Sequence, residues 1–376
     1  MLNFEINLLV LFALIVFGLG FVLQMVYWWG FFSRLAFYKQ RNNQKVTDKP
    51  VSVVICARNE YTNLSRNLSL IFSQDYNAFE VVVVNDCSDD GSDELLHEMA
   101  LAEPRLKVVH LRQSLNFFRG KKFPLSMGIK SAKNEILVLT DADCRPESNQ
   151  WIKEIVNGYD DTTEVVLAYS PYEASKSLLN LLIRFDTLHI GMQYLSFALA
   201  GFPYMGVGRN LSYKKSLFIQ NKGFTSHYNI ASGDDDLFIS QVAKASNTQV
   251  VINKGSRTYS QPKRNFFLWV RQKRRHLSTS RHYNSSTKIL LGSYYLSQWL
   301  FWTGFIFLLL LPFSFLIPLG GLLIRLITQL WLTKNSMIRL GEKHLLLFSP
   351  IAEFFFMLFN PLLATVNLLK KPGTWK

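Results

Sequence analysis

Glu135-Ile-Leu-Val-Leu-Thr-Asp-Ala-Asp-Cys144 decides the fold of this chain. Ile136 to Leu139 form a short, unbroken apolar run, the pattern of a parallel strand covered on both faces. The run stops at two carboxylates, Asp141 and Asp143. In an extended segment residues i and i+2 share a side, so both carboxylates can face one spot beyond the strand's carboxyl end. Ligands bind there in open α/β sheets. Two hard oxygen donors side by side suit Mg2+ or Mn2+, with waters and substrate phosphates completing the shell. The structural alternative is a solvated acidic turn.

Upstream, strand and helix signals alternate. Val51 to Cys56 is a strand, and Glu60 to Phe72 a helix with Leu64, Leu68 and Ile71 on one face. Glu80 to Val84 is a second strand, ending in Asn85-Asp-Cys-Ser-Asp-Asp-Gly-Ser92, where Ser92 can cap a helix to about Ala102. Leu106 to Leu111 is a third strand, and Phe123 to Ala132 a helix that tolerates Pro124 in its first turn. A βαβα order of this kind implies an α/β domain with a largely parallel sheet and helices on both faces. Gly-x-Gly-x-x-Gly is absent after the first strand, which argues against a dinucleotide-binding domain. The loop after the second strand offers Asp86 instead, a carboxylate able to accept hydrogen bonds from a base imide or ribose hydroxyl. Turn chemistry is the alternative reading for it.

Of 376 residues, 41 are Lys or Arg and 27 Asp or Glu, a net charge of +14, and 49% are hydrophobic. A chain both basic and apolar points to an anionic membrane surface. No nucleic-acid motif is present. Cys56, Cys87 and Cys144 form no regular framework, which suggests reduced thiols in a cytosolic domain.

Leu8 to Phe32 carries no charge and is long enough to span a bilayer. It ends at Tyr27-Trp28-Trp29, an aromatic belt, and Arg34, Lys39, Arg41 and Lys45 follow, so residue 33 onward is expected on the cytoplasmic side. A cleaved signal peptide would need a basic start and a shorter core. Ile289 to Leu332 is apolar over about two spans, with a break near Leu311-Pro312. A basic linker, Lys334 to Lys343, leads to a third run, Leu345 to Leu369, read as a span, with a broken or re-entrant segment as the alternative that Glu353 and Asn360-Pro361 suggest. The expected layout is an anchor at 1–32, a soluble domain at 33–260, an interfacial basic segment at 261–288, and two to three spans at 289–376.

Four segments, Cys56-Ala-Arg-Asn-Glu60, Val84-Asn-Asp-Cys-Ser-Asp-Asp-Gly-Ser92, Gly120-Lys-Lys122 and Thr140-Asp-Ala-Asp-Cys144, resemble in order and spacing the motifs of family-2 glycosyltransferases. The resemblance implies a GT-A fold over roughly residues 50 to 280 and a nucleotide-diphosphate sugar as donor, a UDP-sugar foremost. It implies that Asp86 meets the nucleobase, that Ala57 and Glu60 line the nucleotide pocket, and that Lys121 lies near the phosphates. Asp141 and Asp143 would then hold the diphosphate and the metal.

Further along, Ser177 to Ala200 is apolar but carries Arg184, Asp186 and His189, too many charges for a span. A helix on the membrane surface is expected, with a core helix as the alternative. In related enzymes a stretch similar to Gly206-Val-Gly-Arg-Asn-Leu-Ser-Tyr-Lys214 lines the acceptor side, which nominates Asn210. Ser232-Gly-Asp-Asp-Asp-Leu237 sets three carboxylates at a helix start. One suffices for capping, and an inverting transfer needs a base for the acceptor hydroxyl. By the family's spacing that base is Asp234, with Asp235 the alternative. Val270-Arg-Gln-Lys-Arg-Arg-His276 reads by composition as a membrane-surface segment, yet it resembles the family's Gln-x-x-Arg-Trp signature. Gln272, Arg275 and His276 take those places, Arg275 offsetting charge on the leaving diphosphate. His276 stands where the family has Trp, which weakens the resemblance to processive synthases.

Together these readings give a multi-pass enzyme of a bacterial inner membrane, its catalytic domain cytoplasmic. It is expected to transfer a sugar with inversion to a lipid or isoprenoid acceptor, like bacterial carotenoid, ceramide and diacylglycerol glycosyltransferases. A polysaccharide synthase and a catalytically silent membrane scaffold are the competing readings. The first needs more spans, and the second would have lost its carboxylates.

Overall fold

Unbroken apolar runs become strands buried on both faces. In the computed structural model, which describes residues 8–40, 49–112 and 120–370, every residue of β1 (Val51–Ala57) and β2 (Phe79–Asp86) is buried. The other strands are β3 (Leu106–Leu111), β4 (Ile136–Asp141), β5 (Cys144–Pro146), β6 (Val165–Ala168), β7 (Leu211–Lys214), β8 (Thr248–Val251) and β9 (Thr258–Ser260). Seven form one sheet in the order β3-β2-β1-β4-β7-β6-β8, while β5 pairs with β9. The main sheet is parallel except at β7, which runs antiparallel to β4 and β6. Register sets Ala57 opposite Asn85 and Cys56 opposite Asp141, so β1, β2 and β4 end level at one edge.

Helices Tyr61–Phe72, Ser92–Ala102 and Lys122–Ser131 connect the parallel strands. Val53, Ile55, Val81, Val83 and Val138 share a core with Leu64, Leu68 and Ile71. Each such side chain contributes about 1.5–3 kcal/mol. Gly128 lets helix Lys122–Ser131 lie directly on the sheet, since a Cβ there would stand 2.8 Å from both Val54 and Val84. Ser92 proves to be the first helical residue rather than the cap. Gly91 holds the cap position at φ 87, where a side chain is strained, and Asp90 Oδ1 accepts from the Ser92 N–H at 3.1 Å.

The chain divides into two units, Met1–Tyr38 with Asn284–Thr365, and Lys39–Tyr283 with Val366–Lys376. Within the second, Leu178–Leu199 is one helix that buries Arg184 and most of its C-terminal half in the domain. The expectation of a membrane-surface helix gives way because its charge is used inside: Asp186 takes both its bonds from Lys273 Nζ, at 2.6 and 2.8 Å. The basic segment contains helix Phe266–Leu277, capped by Asn265, with Trp269 and Lys273 buried and Phe267 and Leu268 exposed.

In the first unit a π-turn, Tyr27–Phe32, continues helix Leu8–Val26 to Ala36. Helices Ser285–Leu310 and Leu316–Leu340 flank the break expected at Leu311-Pro312. Helix Ser349–Leu369 runs unbroken through Pro361, so the third apolar run is continuous. Its charge is compensated: Glu353 accepts from Arg325 Nη2 and Gln298 Nε2, both at 2.8 Å. Leu8–Ala36, Leu316–Leu340 and Ser349–Leu369 are long and apolar enough to cross a membrane. In Ser285–Leu310 the polar side chains of Tyr294, Ser297 and Gln298 are buried. Arg41 and Lys45 lie outside the described residues.

Candidate active site

Level strand ends bring the nominated side chains to one edge of the sheet. After β1 and β2 the loops are knitted together: Asn59, at φ 56, accepts the Asp89 N–H and donates its own to Ser88, each at 3.0 Å. Ala57 is buried at the end of β1, and the Glu60 carboxylate accepts from Asn63. Asp86, 1% exposed, closes β2. Among the described residues its Oδ2 is enclosed without a hydrogen-bond partner. Burial raises its pKa, opposed by Arg58. An enclosed acceptor left unpaired costs about 1–3 kcal/mol, the mark of an atom that awaits a donor.

Asp141 ends β4, and Asp143 follows in a tight turn rather than in extended chain. The turn still gathers the ligand atoms of Asp141, Asp143 and Cys144 within 4.8 Å of one another. Burial pushes the Asp141 carboxyl up, but Lys121, which forms an ion pair with it, overrides this and holds it below the usual range. Burial also opposes the Lys121 ammonium, and Asp141 outweighs it there too. Asp143 moves the other way, raised by burial and by Asp141, while its Oδ2 accepts from Ser260 at 3.1 Å. Two crowded carboxylates, one of them disfavoured as an anion, fit a divalent cation that would relieve their repulsion. Cys144 is a poor third ligand, because burial keeps its thiol protonated. Cys56, beneath Lys121, is pushed up to about 12 by the same cause. All three cysteines are free.

The carboxylate run separates into three roles. Asp236 is buried and structural: its Oδ1 accepts the Leu237 N–H at 2.8 Å, and its Oδ2 accepts from Tyr283 at 2.8 Å and from Thr279. Asp235 caps helix Asp236–Val242 and takes the Gly208 N–H at 2.8 Å. Burial, then Asp234 and Asp236, raise its pKa to about 7. Asp234 lines a pocket with Lys121, Thr140, Gly208 and Asp235, and among the described residues no hydrogen bond reaches its carboxylate.

Two features fix the loop that carries it. Gly120, at φ 155, passes so close to Ala231 that a Cβ would stand 2.8 Å from its carbonyl. Lys122 Nζ spends its three protons on the carbonyls of His227, Ile230 and Ser232, at 2.6, 2.9 and 2.9 Å. Sequence reading missed Lys122, although it sits beside Lys121 in the quoted motif.

Asn210 corrects an expectation. It is fully buried, its Nδ2 donates to the carbonyls of Tyr169 and Ser256 at 2.9 and 2.8 Å, and its Oδ1 accepts from Trp151 at 3.0 Å. A side chain so committed braces the core and faces no acceptor. Its neighbour Arg209 is the one at the site, with its guanidinium over the Tyr172 ring at 4.3 Å. Gln272 Nε2 donates to the Tyr172 hydroxyl at 3.3 Å. Among the described residues Arg275 Nε is enclosed without a partner. His276 is accessible to solvent, yet desolvation by the walls around it and the charges of Arg275, Arg209 and Lys273 lower its pKa to about 3. Arg275, Arg209 and Lys273 thus lie close enough to His276 for their charges to act on it.

Residues 52–220 match the model of Glycosyl transferase family 2. That segment, a little under half of the chain, is similar to a family 2 glycosyl transferase domain. Its level-ended, mostly parallel sheet is of GT-A type. The mannosyltransferase PcManGT of Pyrobaculum calidifontis, solved in complex with GDP-Man and Mn2+, shares this fold at TM-score 0.59 and 20% identity, over 89% of this chain and 99% of that one. A 4,4'-diaponeurosporenoate glycosyltransferase of Staphylococcus haemolyticus is 27% identical over 156 residues, 39% of this chain and 40% of that protein. The undecaprenyl-phosphate 4-deoxy-4-formamido-L-arabinose transferase of Aeromonas hydrophila is 32% identical over 121 residues, 30% of this chain and 35% of that protein. The chain therefore spans about two fifths or less of the length of these curated relatives.

Proposed function

We propose that this chain is an inverting, metal-dependent glycosyltransferase that moves a sugar from a nucleotide-diphosphate sugar to a lipid or isoprenoid acceptor. The observation that carries the reading is the division of labour at the strand ends. Asp141 and Asp143 stand as a paired donor set, and Asp234, alone of its run, keeps its carboxylate unengaged. Asp86 supports a nucleobase site through its orphaned oxygen. Three apolar helices support a membrane setting, and Arg34 and Lys39 after the first favour a cytoplasmic catalytic unit in a bacterial inner membrane. Two relatives are named for 4,4'-diaponeurosporenoate and for undecaprenyl-phosphate, which favours a lipid-like acceptor.

In this reading Asp234 takes the proton of the acceptor hydroxyl while the hydroxyl's oxygen bonds the anomeric carbon from the side opposite the diphosphate. The carbon–oxygen bond to the diphosphate breaks, and its electron pair leaves on the nucleotide. Arg275 faces the charge that develops there. Asp141 and Asp143 would hold Mg2+ or Mn2+, which when bound supplies positive charge to the diphosphate. Lys122 keeps the Asp234 loop in place, and Asp235 ties that loop to Gly208.

Membranes containing the chain, incubated with labelled UDP- and GDP-sugars and then extracted, test this directly. Label should enter the lipid fraction, excess chelator should abolish it, and Mg2+ or Mn2+ should restore it. Label in polymer would point to a polysaccharide synthase. Transfer undiminished by chelator, or in Asp143→Ala, would remove the metal assignment.

A further inference from the structure

Arg209 is held in the site by everything except its own guanidinium. Its carbonyl accepts from Thr140 Oγ1 at 2.9 Å and from Thr258 Oγ1 at 2.8 Å, tying it to the ends of β4 and β9. On either side, the Gly208 N–H is bound by Asp235 and the Asn210 amide is locked in the core. The guanidinium lies on the Tyr172 ring, whose hydroxyl is steadied by Gln272. Its Nη1 is enclosed with no partner, and among the described residues none of its five N–H donors reaches an acceptor. Asp141 and Asp143 are near enough to feel its charge, yet neither is in an ion pair with it.

A half-buried cation, stacked and positioned but bonded to nothing, is costly for the free protein. Arginine's planar fork matches the oxygens of phosphate and carboxylate groups. We infer that Arg209 is a binding residue for an oxyanion of the substrates, preorganised by Tyr172 and Gln272. This rests on the glycosyltransferase reading above. Its place beside the Asp141–Asp143 pair favours the donor's diphosphate, and an acid group on the acceptor is the other source of the same chemistry. The inference also gives Gln272 a role, as the residue that orients Tyr172 beneath the guanidinium.

The full chain, purified in detergent, is titrated with UDP, GDP and the corresponding nucleosides, and transfer is measured against donor and acceptor concentration. Because among the described residues the Arg209 side chain makes no hydrogen bond and only stacks on Tyr172, Arg209→Gln should fold, with a melting temperature close to wild type. It should bind the cognate nucleoside diphosphate about 10- to 100-fold more weakly, the usual worth of a hydrogen bond to a charged group, with nucleoside binding unmoved. Arg209→Lys should recover part of the loss, and Gln272→Leu should show a smaller one of the same kind. If diphosphate affinity holds while the KM for acceptor rises, the oxyanion belongs to the acceptor. Equal binding and equal transfer by Arg209→Gln and wild type overturns the inference alone. A wild type that binds no nucleoside diphosphate overturns the proposed function and this inference with it.

Discussion

Arg325 and Arg209 are both arginines set against aromatic rings, and the protein treats them in opposite ways. Arg325, 1% exposed in helix Leu316–Leu340, lies over Phe301 and Trp302 and donates to Glu353 at 2.8 Å and Gln329 at 3.0 Å. Glu353 also accepts from Gln298, and Tyr294 stands 3.3 Å from the same oxygen. Arg209 lies over Tyr172 and has no acceptor. The same contrast runs through Asp236, bonded on both oxygens, and Asp234, bonded on neither. In an apolar helix bundle no water or ligand arrives to satisfy a charge, so the partners must be built in. In the cleft a charge with built-in partners would have nothing left for a substrate. At these two arginines and two aspartates, pairing marks what holds the fold, and its absence marks what the fold presents.

Asp234 and Asp236 test that distinction with the largest expected effect. Asp234→Asn should lower the transfer rate about 10²–10⁴-fold, the usual worth of a positioned base, with nucleotide binding and melting temperature near normal. Asp236→Asn should instead lower the melting temperature, because both carboxylate oxygens accept hydrogen bonds and the amide replaces one of them with a donor. Asp235→Asn is the register control: loss of rate there, with Asp234→Asn at wild-type speed, would move the base by one residue. If neither variant slows transfer, the unpaired carboxylate is not the base and the comparison fails at its most important point.

The buried pair should show the converse. Glu353→Ala leaves the Arg325 charge enclosed, which for a buried pair costs about 3–5 kcal/mol. Thermal unfolding of the detergent-purified chain should fall accordingly, whereas Arg325→Met with Glu353→Leu should recover most of it. Full stability in Glu353→Ala would mean that the pair does not hold these helices, and pairing would lose its value as a marker.

The parallel strands, their crossover helices and the carboxylates at their ends were legible because each rests on local signals: apolar runs, helical spacing, and motifs of three to nine residues. β5 to β9 were not, since strands of three or four residues give too short a pattern to distinguish from loops. The antiparallel β7 hides in the Gly206–Lys214 stretch, and there the site assignment slipped by one residue. Sequence alone could not show that Asn210 points into the core while Arg209 points into the cleft, because which neighbour is enclosed depends on Tyr169, Ser256 and Trp151, all distant in the chain. Helix Leu178–Leu199 was misjudged for a similar reason, as Asp186 finds Lys273 some 87 residues away. For the Asp-Asp-Asp run, family spacing nominated Asp234, and only the partners of its neighbours supply a physical reason.

His276 gives the smallest effect and the finest test of the cation cluster around Arg209. Its folded pKa, about 3, lies below the ordinary value of 6.5. Between those two values the unfolded chain binds a proton at this position and the folded chain refuses it. Stability rises with pH wherever the unfolded state holds more protons, so this residue's contribution is present above pH 6.5 and is lost as pH falls toward 3. His276→Gln carries no such proton, so its melting temperature should decline less steeply than wild type between pH 7 and pH 5. Because the imidazole is accessible to solvent, screening keeps the difference small. Arg209→Gln removes one of the cations that oppose protonation, and the His276 ring, followed by NMR, should then titrate at higher pH than in wild type. An unchanged titration in Arg209→Gln would mean that the guanidinium does not share the cleft with His276, and the unpaired arginine would have to be placed elsewhere.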